Sequence, residues 1–125
     1  MADFLTKRKI GDEGEKVAEK FLKKNGYSIL ERNYLKKWGE IDIIAKKEGI
    51  ICFVEVKAMD ASRNFLPEQN VNIMKQRRLI RAAQSYLMEN KLLDAPWQID
   101  VIIVNLNYGT RLADVRHIKN AVWEK

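Results

Sequence analysis

Acidic and basic side chains gather at one end of a predicted pair of strands. Glu40 and Asp42 alternate with apolar residues in one run, and Glu55 and Lys57 do so in the next. Because successive side chains of a strand point to opposite faces, all four share one face of a hairpin. Carboxylates held this close raise one another's pKa, and a divalent cation removes that conflict. Mg²⁺ is typically bound by one or two carboxylates and several waters, so the pattern predicts a Mg²⁺ or Mn²⁺ site.

A site of this kind has the parts needed for hydrolysis at phosphorus. A carboxylate-bound cation can accept a phosphate oxygen, lower the pKa of a bound water and stabilise a departing alkoxide. Lys57 could position or deprotonate the attacking water, or balance charge on the phosphorus. A surface ion-pair network of Asp42, Glu55 and Lys57 is the alternative interpretation of the same residues.

The loop between the two strands sets their register. If residues 46–49 form a four-residue loop, Asp42 lies opposite Phe53. Glu40 then lies opposite Glu55. The other face of this hairpin is predicted to be wholly apolar and to consist of Ile41, Ile43, Ala45, Cys52, Val54 and Val56.

Two predicted helices direct further charges toward the sheet. The apolar stripe of the first helix, over 9–25, leaves Glu15 at its border, within reach of the sheet. In the second helix, over 71–89, Lys75 falls on the apolar stripe. A lysine there indicates an anionic neighbour, although it could also extend to the rim. If a second apolar side of this helix is exposed, it is a candidate homodimer interface of Ile73, Ile80 and Leu87.

The order of elements predicts an α/β sandwich around a mixed sheet. Strands are predicted over 27–34, 40–45, 50–57, 97–105 and near 111–117, with a turn over 36–39 and a surface loop over 58–69. A passage from strand 50–57 through a helix to strand 97–105 favours a crossover between parallel strands. We interpret Asp100 as a residue that fixes a loop or strand end and His117 as a surface or packing residue. Trp38 is interpreted as a packing residue, with base stacking as the alternative.

The composition excludes several classes of protein and favours a single folded domain. The chain has 125 residues, 46% hydrophobic and 32% charged, which suits one folded domain over 1–125 and excludes disorder. With Cys52 as its only cysteine it cannot be a disulfide scaffold, and no apolar run reaches the roughly 18 residues of a membrane helix. Residues 1–9 lack a signal-peptide core, so we expect a cytoplasmic protein. Its net charge of +6 suits a polyanion such as nucleic acid, although solubility alone could explain it.

Five motifs stand in the first half of the chain: GDEGEKVA at 11–18, GY at 26–27, RNY at 32–34, GEID at 39–42 and FVEVK at 53–57. Together they resemble the YraN-like family, a bacterial group related to the PD-(D/E)xK restriction-endonuclease-like nucleases and to the archaeal Holliday-junction resolvases. The resemblance implies a three-layer restriction-endonuclease-like sandwich in the order α-β-β-β-α-β-β. It also implies a Mg²⁺- or Mn²⁺-dependent endonuclease acting on DNA, with branched or structured DNA as a candidate substrate by analogy with the resolvases.

The resemblance assigns roles to individual residues. Asp42 is the motif aspartate, Glu55 and Lys57 form the E-x-K pair, and Glu15 is the helical acid that completes the metal site. The candidate nucleic-acid contacts are Lys75, Arg78, Lys37 and Arg63. Relatives often have Thr-Arg where this chain has Ala-Met at 58–59, so one basic contact of the family is missing. A non-catalytic nucleic-acid-binding module on the same fold, and a protein-interaction subunit, are the alternative functions.

Overall fold

The structure of the protein is a computed structural model that describes residues 7–60 and 73–122. Its elements are α1 (Lys7–Lys24), β1 (Ser28–Lys36), β2 (Gly39–Lys47), β3 (Ile50–Asp60), α2 (Ile73–Glu89), β4 (Trp97–Asn107) and β5 (Leu112–Val122). The α/β class and the order α-β-β-β-α-β-β are therefore confirmed.

The strands form one five-stranded mixed sheet in the order β1-β2-β3-β4-β5. β3 and β4 are parallel, as predicted for strands joined through a helix, and the other neighbours are antiparallel. Apolar residues of α1 pack with Ile102 and Val104 of β4, whereas those of α2 pack with Val101 and Ile103. Since these positions alternate along β4, the two helices cover opposite faces of the sheet and make three layers.

α1 approaches the sheet closely because one turn of it lacks a side chain. A Cβ atom on Gly14 would lie 2.3 Å from the Cβ of Ala58 in β3. Ala18 and Leu22, one and two turns further on, are fully buried, as the predicted stripe requires. The helix ends where the sequence predicted, because Gly26 has a φ of 90° and the next amide donates to the Leu22 carbonyl at 3.0 Å.

The hairpin of β2 and β3 has a different register from the one predicted. The loop is the two-residue turn Glu48-Gly49, in which both residues have positive φ (52° and 81°). Ile44, not Asp42, therefore lies opposite Phe53. The shift is two residues, so the paired residues 43–47 and 50–54 keep their predicted faces, while Asp42 moves from the level of Phe53 to that of Glu55.

Two other predicted boundaries were wrong. β3 continues to Asp60, so residues 58–60 belong to a strand paired with β4 and not to a surface loop. β5 runs to Val122, well beyond the short strand predicted near 111–117. Residues 61–72, which include the rest of the predicted loop, Arg63 and the start of the predicted second helix, lie outside the described residues.

The second apolar side of α2 is not exposed as a unit. Leu87 is buried and Ile80 packs against the core, whereas Ile73 is 60% exposed. The stripe is thus divided between core and surface, and it does not form the continuous apolar face predicted for a homodimer interface. Within 7–60 and 73–122, neither helix is long and apolar enough to cross a membrane.

Candidate active site

Asp42 and Glu55 form a buried pair of carboxyl groups where β2 and β3 separate. The two side chains are 9% and 4% exposed and line the same cleft. The last residue pair of the β2–β3 ladder on this side is Ile43 with Val54. Beyond it, the backbone N–H of Val56 donates to Oδ2 of Asp42 at 2.8 Å instead of to a strand carbonyl. The Asp42 carboxylate thus accepts the hydrogen bond that a backbone carbonyl would accept in a regular ladder.

The environment of the pair favours a proton or a cation. Burial of Asp42 raises its pKa well above its usual range, and the charge and hydrogen bond of Glu55 raise it further. The Val56 N–H lowers the pKa, but by less than the other groups raise it. Two buried carboxyl groups in contact hold one proton between them unless a cation replaces it. The donors are all oxygen, which fits the preference of Mg²⁺.

Lys75 of α2 reaches the same pair. Its ammonium forms an ion pair with Oε2 of Glu55, although the lysine side chain is 46% exposed. Both interpretations of this residue are therefore correct, because the lysine has an anionic neighbour and also extends toward the rim. Lys75 can therefore contact both the Glu55 carboxylate and a ligand bound in the cleft.

Lys57 lies on the same face of the sheet as Glu55. Glu55 pairs with Val101 and Lys57 with Ile103, and both partners belong to the core on the α2 side. Lys57 is only partly buried. The predicted grouping of an acid and a lysine two positions apart on one face is therefore confirmed.

Glu15 lies near the pair but is held separately. The amide of Asn33 donates to Oε1 of Glu15 at 3.0 Å, and the charge of Glu15 contributes to the raised pKa of Asp42. In the described ranges 7–60 and 73–122, no three His, Cys, Asp or Glu side chains are grouped so as to hold a metal ion. Asp42 and Glu55 are thus brought together, whereas Glu15, the predicted third ligand, is close by but bonded elsewhere.

Regular alternation fails at Asp42. Ile43 packs on the α1 side and Ile44 on the α2 side, yet Ile41 also packs on the α2 side. The prediction that Ile41 shares a face with Ile43 was therefore wrong. In β1, the residue between the partners of Ile41 and Ile43 is Asn33, which has a φ of 50°. The break in both strands turns Asp42 toward the gap.

The predicted nucleic-acid contacts are divided between two neighbouring grooves. Arg78 and Lys75 line the cleft that contains Asp42 and Glu55. Lys37 lines an adjoining groove that also contains Arg78. Arg63 lies outside the described residues.

Some residues of the site were missed in the sequence. Asn33 stands in the RNY motif, but nothing in its local pattern indicates a positive φ or a bond to Glu15. Arg81 was not among the predicted contacts, yet its guanidinium lies 4.7 Å from the centre of the Trp38 ring. Trp38 packs against the core, as predicted.

A second buried group of polar side chains lies on the α1 face of the sheet. Asp100 is fully buried and accepts hydrogen bonds from His117 Nε2 (2.8 Å), the Asn120 N–H (2.8 Å) and Gln98 (2.9 Å). Burial would raise its pKa, but these bonds lower the pKa below its usual value. Asp100 thus fixes the end of β5, as predicted, and lies away from the acid pair. Burial and the nearby charge of Asp100 raise the pKa of Cys52 to about 12, which makes this thiol unreactive.

Comparison with known proteins places the chain among relatives of similar length. Residues 14–104 match the family described as "Uncharacterised protein family UPF0102". A UPF0102 protein of Caldicellulosiruptor saccharolyticus is 40% identical over 117 residues, which cover 94% of this chain and 99% of the relative. UPF0102 proteins of Clostridium acetobutylicum and Chlorobium chlorochromatii are 43% and 41% identical, over 91% of this chain and 93% and 91% of theirs. The chain therefore belongs to the UPF0102 family, the restriction-endonuclease-like YraN group that its motifs indicated.

Proposed function

We propose that the protein is a Mg²⁺- or Mn²⁺-dependent nuclease that hydrolyses phosphodiester bonds of DNA, with branched or structured DNA as its substrate class. The observation that carries this proposal is the buried Asp42–Glu55 pair, held in contact beside two lysines. A hairpin kept only for stability gains nothing from two buried carboxyl groups in contact, because each raises the cost of ionising the other.

Asp42 and Glu55 are the residues that would hold the metal ion. When bound, a divalent cation polarises the phosphate and lowers the pKa of a water molecule. The pair must lose its shared proton for this, so metal affinity is expected to increase with pH.

The two lysines have different tasks in this proposal. Lys57, on the face of Glu55, orients the attacking water or balances charge on the phosphorus. Lys75 neutralises Glu55 while the site has no cation. Since the Lys75 side chain is half exposed on α2, it can turn from Glu55 to a phosphate oxygen of the substrate.

A non-catalytic nucleic-acid-binding module is the second candidate. It is favoured by the separate position of Glu15, whose carboxylate is bonded to Asn33, and by the ion pair between Lys75 and Glu55. In that case the lysines and arginines around the cleft bind phosphates, and the acid pair only sets the local structure. RNA in place of DNA is an outcome of the same test.

The test combines metal binding with cleavage. Calorimetry with Mn²⁺ or Mg²⁺ is expected to detect binding to the wild type and not to Asp42→Asn or Glu55→Gln. Linear, flapped and four-way DNA and a matching RNA are then incubated with metal. Cleavage should be lost in Asp42→Asn and Lys57→Ala, while Glu48→Gln, which changes an exposed carboxylate in the β2–β3 turn, should keep it.

Two outcomes would decide against the nuclease. If the folded wild type binds no metal even with DNA present, metal-dependent cleavage is ruled out. If it binds DNA with strong salt dependence but cleaves none of the substrates, and the acid substitutions leave DNA binding unchanged, the binding module is the correct function.

A further inference from the structure

A basic groove lies beside the acid pair, between the β1–β2 turn and the first turns of α2. We call it the turn–helix groove and define it by Lys36, Lys37, Trp38, Arg77, Arg78 and Arg81. Five of these six side chains are cationic; Lys36 is ion-paired with Glu89 of α2, and the acidic Glu40 also lines the groove, so the excess charge comes from Lys37 and the three arginines. Such an excess of one charge on a concave surface favours a polyanion.

The arginines of this groove come from one side of a helix. Arg77 and Arg81 are four residues apart and therefore neighbours on the surface of α2. Both are exposed, as is Arg78 between them. Like charges this close on a helix repel each other and destabilise it. A phosphate that binds both guanidinium groups removes this repulsion and adds charge-assisted hydrogen bonds.

Trp38 holds one of these arginines in place. The guanidinium of Arg81 lies 4.7 Å from the centre of the indole ring, which itself packs against the core. Tryptophan offers the best ring for this cation–π contact. A guanidinium fixed in this way loses less side-chain entropy when it binds a phosphate than a free one does.

The indole nitrogen indicates that Trp38 is more than a packing residue. Its Nε1–H is buried and meets no acceptor among the described residues. A buried donor without a partner costs about 1–3 kcal/mol. Leucine or phenylalanine would also pack against the core and would bury no such donor, so the stack with Arg81 is the property that only tryptophan supplies in full.

The groove continues into the cleft of the acid pair. Gly39, Glu40 and Arg78 line both depressions. A Cβ on Gly39 would lie 3.0 Å from the Arg78 carbonyl oxygen, so the turn and the helix are tightly packed here. The backbone of α2 at Arg78 is therefore held close to β2, the strand that carries Asp42.

We propose that the turn–helix groove binds the sugar–phosphate backbone of nucleic acid to one side of the reacting phosphate, with Arg81, oriented by Trp38, as its central contact. The proposal rests on the proposed function for the identity of the polyanion. It adds a phosphate-binding site that is distinct from the acid pair and does not need metal.

The experiment measures DNA binding without cleavage. A fluorescent four-way DNA junction and a linear duplex are titrated in EDTA, between 50 and 200 mM KCl, and binding is followed by anisotropy. Arg81→Ala is expected to weaken binding about five- to tenfold and to reduce the slope of log K against log salt by about one. Arg116→Ala removes the same charge from an exposed position on β5 and should change binding less than twofold.

Trp38 is tested in a double-mutant cycle. Trp38→Leu should weaken binding by nearly as much as Arg81→Ala, and the double variant should be no weaker than Arg81→Ala alone. Trp38→Phe keeps an aromatic ring, so its DNA affinity should lie between that of the wild type and that of Trp38→Leu. It replaces Trp38→Leu in the cycle if that variant does not fold. Additive losses would overturn the orienting role of Trp38.

The outcomes separate this proposal from the nuclease proposal. If Arg81→Ala binds DNA as well as Arg116→Ala does, the groove proposal is wrong, even if the wild type cleaves DNA. If groove variants bind weakly but the wild type cleaves nothing with Mg²⁺ or Mn²⁺, the groove proposal stands and the nuclease proposal fails. Equal losses for DNA and for heparin would show a general polyanion site and would contradict a site built for nucleic acid.

Discussion

The buried acid pair should make the stability of the protein depend on pH in an unusual direction. Acid groups in ion pairs usually stabilise a fold as pH rises. Here the pKa of Asp42 is raised in the folded state, chiefly by burial and then by Glu55. The folded protein therefore keeps a proton that the unfolded chain has lost above about pH 4. The contribution of this group to stability is complete below that pH and is lost as pH rises toward the folded pKa.

The magnitude follows from linkage. One proton bound in the folded state and absent from the unfolded chain changes the free energy of unfolding by about 1.4 kcal/mol per pH unit. Between pH 5 and pH 8 the wild type should thus lose up to about 4 kcal/mol from this pair. Asp42→Asn keeps the size of the side chain and removes the charge, so its stability relative to the wild type should increase by that amount. For a chain of this length the difference corresponds to about 10 °C or more in Tm.

The assay is urea unfolding of both proteins in EDTA at pH 5, 6, 7 and 8, with equal m values as the check that only stability changes. Glu40→Gln is the control, because it makes the same chemical change at an exposed carboxylate. Excess Mg²⁺ should stabilise the wild type at pH 8 more than at pH 5 and leave Asp42→Asn unaffected. Parallel pH profiles of the wild type and Asp42→Asn would refute the inference that the pair shares a proton.

Three further predictions test the parts that position the site. Gly14→Ala should destabilise the protein by about 1–2 kcal/mol in urea unfolding, because the clash with Ala58 outweighs the helix propensity gained, and Ala58→Gly in the same chain should restore the loss. A destabilisation that Ala58→Gly does not relieve would contradict the close approach of α1. Asn33→Gly tolerates the positive φ but lacks the amide that holds Glu15, so it should unfold near the wild-type midpoint and leave Glu15 able to reach the acid pair, and calorimetry should find tighter Mn²⁺ binding than for the wild type; unchanged Mn²⁺ binding would show that Asn33 does not keep Glu15 from the site. Lys75→Ala removes the cation that competes for the acid pair, so calorimetry should find Mn²⁺ binding several-fold tighter without DNA, while cleavage slows; weaker Mn²⁺ binding would show that Lys75 supports the metal site.

The parts of the fold that the sequence predicted are those that depend on a regular period. The apolar stripe of α1 and the parallel crossover through α2 follow from spacing that persists over many residues. The acid–lysine spacing of Glu55 and Lys57 likewise needs only alternation along one strand. These features are insensitive to small errors in register, and a shift of two residues left the faces of residues 43–47 and 50–54 as predicted.

The parts that were missed depend on single backbone conformations or on contacts distant in sequence. The register was wrong because Glu48, which is not glycine, has a φ of 52° and closes a two-residue turn. The end of β3 was wrong because residues 58–60 do not alternate in polarity, although they pair with β4. Trp38 and Arg81, which stack on each other, are 43 positions apart in the sequence, so no local pattern predicts their contact.

The break of alternation at Asp42 is where the fold and the site meet. A regular strand would send Ile41 and Ile43 to one face and would pair Val56 with a backbone carbonyl. Instead, the break frees the Val56 N–H for the Asp42 carboxylate and opens the gap in which that carboxylate meets Glu55. Asp42 consequently lines the cleft on the α2 side and also the depression on the α1 side that contains Glu15.

This arrangement is costly for a fold that needs only stability. It combines an interrupted ladder with two buried carboxyl groups in contact. Like charges buried in this way persist where the surrounding structure enforces them, and they concentrate at functional sites. A surface ion-pair network would be solvated and would need neither. The break of alternation at Asp42, which the sequence pattern did not predict, is therefore the strongest physical reason to interpret Asp42 and Glu55 as a functional site.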